Sequence, residues 1–78
     1  MRAYFVNVKC EPGKAYDVAN ALADTELASE IYSTAGHFDL LVKLYLEDSE
    51  DVGQFVNSHI HTIAGIRDTE TLVTFRAF

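Results

Sequence analysis

Apolar and polar positions along the chain repeat with two different periods. Four stretches have the composition or the two-residue alternation of strands. Two others repeat their apolar positions every three to four residues, as amphipathic helices do. The pattern therefore predicts strands at residues 3–9, 27–34, 38–46 and 66–78, and helices at residues 14–24 and from residue 48 to about residue 59 or beyond.

The resulting order, βαββαβ, predicts an α+β, ferredoxin-like fold with a four-stranded antiparallel sheet and both helices on one face. The first, third and fourth predicted strands carry large apolar side chains on both faces, whereas a solvated sheet face alternates cleanly with polar residues. We therefore expect another subunit to cover the second face, in an assembly of the dimeric α/β-barrel type. The predicted interface residues are Phe5, Leu41, Tyr45 and Leu72.

Length and charge narrow the possible partners. A single domain of 78 residues is near the lower size limit for independent folding, which favours a homo-oligomer. The chain has twelve acidic and six basic residues, which gives a formal charge of −6, and the basic residues form no run. We therefore expect no direct binding of nucleic acid. The single Cys10, the absence of a long apolar run and the lack of signal-peptide features predict a cytoplasmic protein without a membrane partner.

The segment between the second and third predicted strands carries the most informative polar groups. Gly36 tolerates backbone angles that allow a tight reversal of the chain. His37 and Asp39 then lie on a rigid turn beside backbone N–H groups, which suits a small zwitterion better than catalysis. Two simpler interpretations remain open: a solvated turn histidine, and a carboxylate that only accepts bonds from nearby backbone N–H groups.

Two motifs resemble those of one known family. The turn TAGHFD at residues 34–39, followed by LLV, resembles the T-x-G-x-(aromatic)-D turn and third strand of the effector domain of the leucine-responsive/asparagine (Lrp/AsnC) transcriptional regulators. The segment IAGIRDTET at residues 63–71 is similar to a second motif of that family, a glycine–aliphatic pair followed by T-x-T at the start of the last strand. The resemblance covers nearly the whole chain.

This resemblance implies a domain for regulation of amino acid metabolism (RAM domain), which binds an amino acid or a related small molecule between subunits. It also implies dimers that associate into tetramers or larger forms. We expect no catalytic residue, no cofactor and no metal. The effector-binding residues that the resemblance nominates are Thr34, Gly36, His37, Phe38, Asp39, Gly65, Thr69 and Thr71. For the two threonines on the last strand, simple β-propensity is the alternative explanation.

Other functions remain open at this point. Full-length members of the family carry an N-terminal helix-turn-helix domain, whereas this sequence begins on the first strand, so we expect a module that acts without its own DNA-binding domain. A full-length family regulator is a candidate partner, and a pure assembly module in mixed oligomers is one alternative. A small ferredoxin-like enzyme of the monooxygenase type is another. His59 and His61 allow a metal site in an extended segment, although the pattern favours a helix C-terminal position for His59.

Overall fold

Six elements follow one another in the order that the apolar pattern predicts. The computed structural model describes residues 1–78 as one antiparallel sheet with both helical segments packed on a single face. The elements are β1 (Arg2–Cys10), α1 (Ala15–Asp24), β2 (Glu30–Ser33), β3 (Leu40–Leu46), α2 (Val52–Phe55) with its π-helical continuation Val56–Ile60, and β4 (Ile66–Leu72). The predicted ferredoxin-like fold is thereby confirmed.

The sheet has the strand order β2-β3-β1-β4, so β1 lies in the centre and pairs with both β3 and β4. Across it, Val8 stands opposite Leu40 on one side and Thr69 on the other. Because neighbours in register share a face of a pleated sheet, these three side chains point towards the helices. The buried core on that side consists of Val6, Val8, Cys10, Val18, Leu22, Leu40, Val42, Leu44, Leu46, Val56 and Ile60.

The second helical segment differs from the predicted one in its start and its pitch. Residues 48–50 form a turn instead of helix, and Asp51 caps α2 by accepting hydrogen bonds from the N–H groups of Gly53 (2.9 Å) and Gln54 (3.5 Å). The helix then widens, because the N–H of His61 donates to the carbonyl of Val56 five residues earlier (2.9 Å). A bond of that spacing defines a π-turn.

Two predicted strands begin later than the composition suggests. Strand β2 begins at Glu30, opposite Lys43, and not at residue 27. Residues 27–29 instead lead out of the turn at Glu26, which has a left-handed backbone (φ 60°). Strand β3 begins at Leu40 and not at residue 38, because Phe38 and Asp39 belong to the preceding turn.

The last predicted strand is too long at its C-terminal end. Strand β4 ends at Leu72, which stands opposite Phe5, and that register carries residues 76–78 beyond the first residue of β1. Close to this point Arg2 donates from its guanidinium to the carbonyl of Thr74 (2.6 Å). Phe75 is 98% exposed, so this tail adds nothing to the core of its own chain.

None of the helices combines the length and the apolar character that crossing a membrane requires.

Candidate functional site

The turn between β2 and β3 is closed by Thr34. Its N–H donates to the carbonyl of Asp39 (2.9 Å), and its hydroxyl donates to the carbonyl of Phe38 (2.9 Å). Gly36 lies at the tip with φ +103°, a conformation that favours glycine, as the sequence predicts. His37, beside it, is exposed and Phe38 is half-buried, so the turn carries one exposed polar side chain and one half-buried aromatic side chain.

Asp39 connects this turn to the central strand. Its backbone N–H donates to the carbonyl of Val8 (2.9 Å), and its carboxylate Oδ2 accepts a hydrogen bond from the N–H of Cys10 (2.8 Å). One carboxylate oxygen therefore serves the simpler function foreseen from the sequence, a bond to a backbone N–H. That bond leaves Oδ1 to receive another donor, because an ionised carboxylate accepts at both oxygens.

The second motif reaches the same end of β1 from the opposite side. The carbonyl of Gly65 accepts a hydrogen bond from the N–H of Glu11 (2.8 Å), and the next residue, Ile66, pairs with Cys10 at a bulge in the ladder. Gly65 also has a positive φ of +96°. The two motifs, 26 residues apart between Asp39 and Gly65, are thus bonded to the last residue of β1, Cys10, and to the residue that follows it, Glu11.

Glycine at position 65 is required by space as well as by backbone angle. A Cβ there would lie 3.0 Å from Cγ2 of Val18 and 3.3 Å from Cβ of Lys14, both at the start of α1. At Gly36, by contrast, a Cβ would meet nothing within 4 Å. The Gly65 turn is therefore pressed against α1, whereas the Gly36 turn projects freely.

The two threonines of β4 share the helix-facing side of the sheet, as their spacing predicts. Thr69 stands opposite Val8 and Thr71 stands opposite Val6, and both are half-buried between exposed neighbours. The hydroxyl of Thr69 is hydrogen-bonded to Nε2 of His61 (2.5 Å), and the N–H of Thr69 donates to its neighbour Asp68 (2.9 Å).

The thiol of Cys10 lies beneath this strand end. Burial raises the pKa of the Cys10 thiol, the adjacent Asp39 carboxylate raises it further, and the Lys9 ammonium opposes the rise. A raised pKa keeps the thiol protonated at neutral pH, so Cys10 serves as a small apolar side chain in this place.

The predicted interface residues lie on the helix-free face of the sheet, around the ion pair of Lys43 and Glu30. Tyr45 is 44% exposed and Leu72 is 42% exposed, while Phe5 and Leu41 are half-buried. Between them, Nζ of Lys43 lies 3.4 Å from the carboxylate of Glu30 and over the rings of Phe5 (5.9 Å) and Tyr45 (5.3 Å). Hydrogen bonding to Tyr45 first, and to Glu30 second, raises the pKa of Lys43.

The clearest concavity of the single chain lies elsewhere. An apolar depression separates the end of α1 from the π-helical segment, under the ring pair of Phe55 and His59, whose centroids are 4.7 Å apart. None of the candidate effector residues lines it. On a single chain, the candidate effector residues are therefore not enclosed in a pocket.

The chain belongs to the Lrp/AsnC ligand binding domain family, whose model matches residues 3–78. This membership confirms the resemblance drawn from the two motifs, and it makes the chain a ligand-binding domain of a family of transcriptional regulators.

Individual relatives agree with that assignment. The chain is 33% identical over 72 residues to the HTH-type transcriptional regulator FL11 of Pyrococcus horikoshii; the match covers 92% of this chain and 47% of FL11. The chain thus spans about half the length of that regulator. Among solved structures, TTHA0845 from Thermus thermophilus superposes with a TM-score of 0.88 at 31% identity, covering 100% of this chain and 98% of that one.

A more distant structure shares the fold alone. The transcriptional regulator NMB0573 of Neisseria meningitidis, solved as a complex with L-Met, superposes with a TM-score of 0.82 at 16% identity. The likeness covers 96% of this chain and 50% of that one.

The sequence indicated the two turns but not what holds them. The backbone N–H groups of Cys10 and Glu11 are the anchors, and a backbone group carries no residue-specific signal. The sequence pattern offers only a metal-binding interpretation for His61, whereas the structure pairs it with Thr69. The structure places His59 near the end of the π-helical segment, in its last turn.

The close approach at Gly65 yields a matched pair of substitutions. Gly65→Ala combines left-handed strain with a clash against Val18, so we expect it to destabilise the folded chain by about 2–4 kcal/mol. Gly36→Ala carries the backbone strain alone and should cost about 1–2 kcal/mol. Urea unfolding at one fixed protein concentration measures both values. Equal losses for the two variants would show that Gly65 does not need its proximity to α1.

Proposed function

We propose that this domain is an amino-acid-sensing regulatory module that binds its effector between two copies of the chain. The proposal rests on one observation: the Asp39 carboxylate and the Gly65 carbonyl both bond to the end of β1, at Cys10 and Glu11. That arrangement brings the Gly36–Asp39 turn and the start of β4 to one end of the sheet. A ligand at that end can contact both motifs.

The chemistry of this end suits a zwitterion. Asp39 has one oxygen engaged by Cys10 and offers the other to an α-ammonium group, by a charge-assisted hydrogen bond. Backbone N–H groups around Gly36 and Gly65 are candidates for the α-carboxylate, since turns with positive φ expose such donors without needing a basic side chain. His37 and Phe38 are then placed to contact the effector's side chain. The L-Met complex of the distant structural relative supports an amino acid as the ligand class.

Several observations support a second copy as the other wall. On a single chain the candidate residues are not enclosed in a pocket, whereas small-molecule sites enclose most of the ligand's surface. The helix-free sheet face is rich in apolar side chains, and its central Lys43 is already paired with Glu30, so covering the centre of this face does not bury Lys43 as an unpaired charge. Beyond β4, Phe75 and Phe78 are fully exposed and continue the apolar pattern without a strand to pair with.

The proposed module acts through assembly and ligand binding, not through contacts to DNA. The domain carries a formal charge of −6, which opposes binding to a phosphate backbone. We propose that its regulatory effect reaches DNA through a helix-turn-helix region, such as that of a full-length family regulator.

The effector prediction begins with a thermal-shift screen of the purified domain against the twenty common amino acids. Binding to the native state raises the unfolding temperature, so at least one amino acid should raise it in a concentration-dependent manner. Asp39→Ala and Asp39→Asn should then each weaken that binding by about 1.5–3 kcal/mol in calorimetry, because both remove the charge that pairs with the ammonium group.

The two Asp39 variants separate binding from scaffolding. Asparagine retains an oxygen for the Cys10 N–H, so Asp39→Asn should remain close to wild type in stability while it loses affinity. Asp24→Ala, at the exposed end of α1, is the control and should bind normally. Unchanged affinity in both Asp39 variants would remove Asp39 from the site. An oligomer that binds none of the amino acids would instead indicate an assembly module.

Assembly is tested by the same substitution on two surfaces. Tyr45→Glu places an unpaired charge on the helix-free sheet face and should dissociate the oligomer, since burying such a charge is costly. Tyr16→Glu changes an aromatic side chain on α1 that is 76% exposed, and it should leave the oligomer intact. Light scattering at micromolar concentration measures both. A wild-type protein that remains monomeric there would contradict the proposal.

A further inference from the structure

His61 and Thr69 form the one side-chain pair that joins the end of the helical segment to β4. Nε2 of His61 lies 2.5 Å from Oγ1 of Thr69, and the two residues enclose the Gly65 turn between them. His61 is exposed and Thr69 is half-buried, so the pair lies at the surface beside the turn that is bonded to Glu11. A ligand that uses the Thr69 hydroxyl has to share it with this imidazole.

The direction of that hydrogen bond decides what Thr69 offers to a ligand. A hydroxyl has one proton to donate, and imidazole Nε2 is either a donor or an acceptor. If Nε2 accepts, the hydroxyl proton is used up and only lone pairs face the ligand. If Nε2 donates, the hydroxyl proton is free to donate to an anion. His61 therefore determines whether Thr69 suits an ammonium group or a carboxylate.

The surroundings favour a donor at this position. The backbone N–H of Thr69 is already bonded to the carboxylate of Asp68 (2.9 Å), so the hydroxyl is the remaining donor of residue 69. Across the strand end, the Asp39 carboxylate occupies the acceptor role that an ammonium group requires. A zwitterion held by Asp39 at one end needs donors at its other end.

We propose that His61 is a positioning residue for effector recognition: it donates from Nε2 to Thr69 Oγ1 and thereby directs the Thr69 hydroxyl proton to the effector's α-carboxylate. This inference rests on the proposed function, because it assumes an amino acid bound at the start of β4. It adds a residue outside both sequence motifs and assigns it an effect on ligand selectivity. His61 itself does not touch the effector.

The test compares an amino acid with its α-carboxamide, which keeps the ammonium group and the side chain but loses the carboxylate. The probes are the tightest binder among the twenty common amino acids and the amide made from it, titrated into the intact oligomer by calorimetry. His61→Phe should weaken binding of the acid about tenfold and of the amide at most about threefold, because a hydrogen bond to the charged carboxylate is roughly twice as strong as one to the neutral amide oxygen. His61→Gln supplies a side-chain N–H and should recover most of that loss.

Matched variants separate positioning from a general structural effect. His59→Phe makes the same replacement two residues earlier, on a ring that packs against Phe55, and should bind both probes as the wild type does. In a Thr69→Val background, His61→Phe should have no further effect on the acid, since the two residues act through one hydroxyl. His61→Ala serves in place of His61→Phe if the larger side chain prevents folding.

The outcomes are distinguishable. A clearly larger loss for the acid than for the amide, rescued by His61→Gln and absent in the Thr69→Val background, supports the inference. Equal weakening of acid and amide, or no weakening of either, overturns the role of His61 while the proposed function stands. Failure of all twenty amino acids to bind the wild-type oligomer overturns the inference and the proposed function together.

Discussion

The hydrogen bond from the Cys10 N–H to the Asp39 carboxylate is the contact on which the arrangement of the site depends. Together with the bond from the Glu11 N–H to the Gly65 carbonyl, it fixes two distant turns to one end of the central strand. Each bond satisfies a backbone donor beyond the end of a strand pairing: Cys10 lies past the last β3 pair, at Val8, and Glu11 lies past the last β4 pair, at Cys10. The end of the two strand pairings therefore places both candidate motifs at one end of β1.

The alternation of apolar residues was sufficient to predict the architecture, because a ferredoxin-like sheet buries one face and each element shows its own period. It failed at the ends of strands. Leu27 has strand composition but follows the left-handed Glu26, and Phe75 continues the alternation of β4 beyond its last ladder pair, Leu72 with Phe5. Strand limits depend on the neighbouring strand, which no local window of sequence contains.

The sequence also predicted part of the candidate site. Gly36 and Gly65 were recognisable as breaks in the chain, and the structure gives both a positive φ. At Gly65 it adds a close approach to α1 that the sequence does not indicate. The anchors at Cys10 and Glu11 were not predictable, since backbone N–H groups look the same in every residue. The partnership of His61 with Thr69 depends on how the π-helical segment ends, and the widened turn at Val56 has no signature in the apolar pattern.

Amide hydrogen exchange at the end of β1 tests the central claim most directly. If both turns are bonded there, the amides of Cys10 and Glu11 should be protected to nearly the level of the inner amides of β1, and a binding amino acid should raise that protection further. Exchange of these two amides at the rate of the exposed Gly13 turn, or a ligand that alters protection only elsewhere in the domain, would contradict the account.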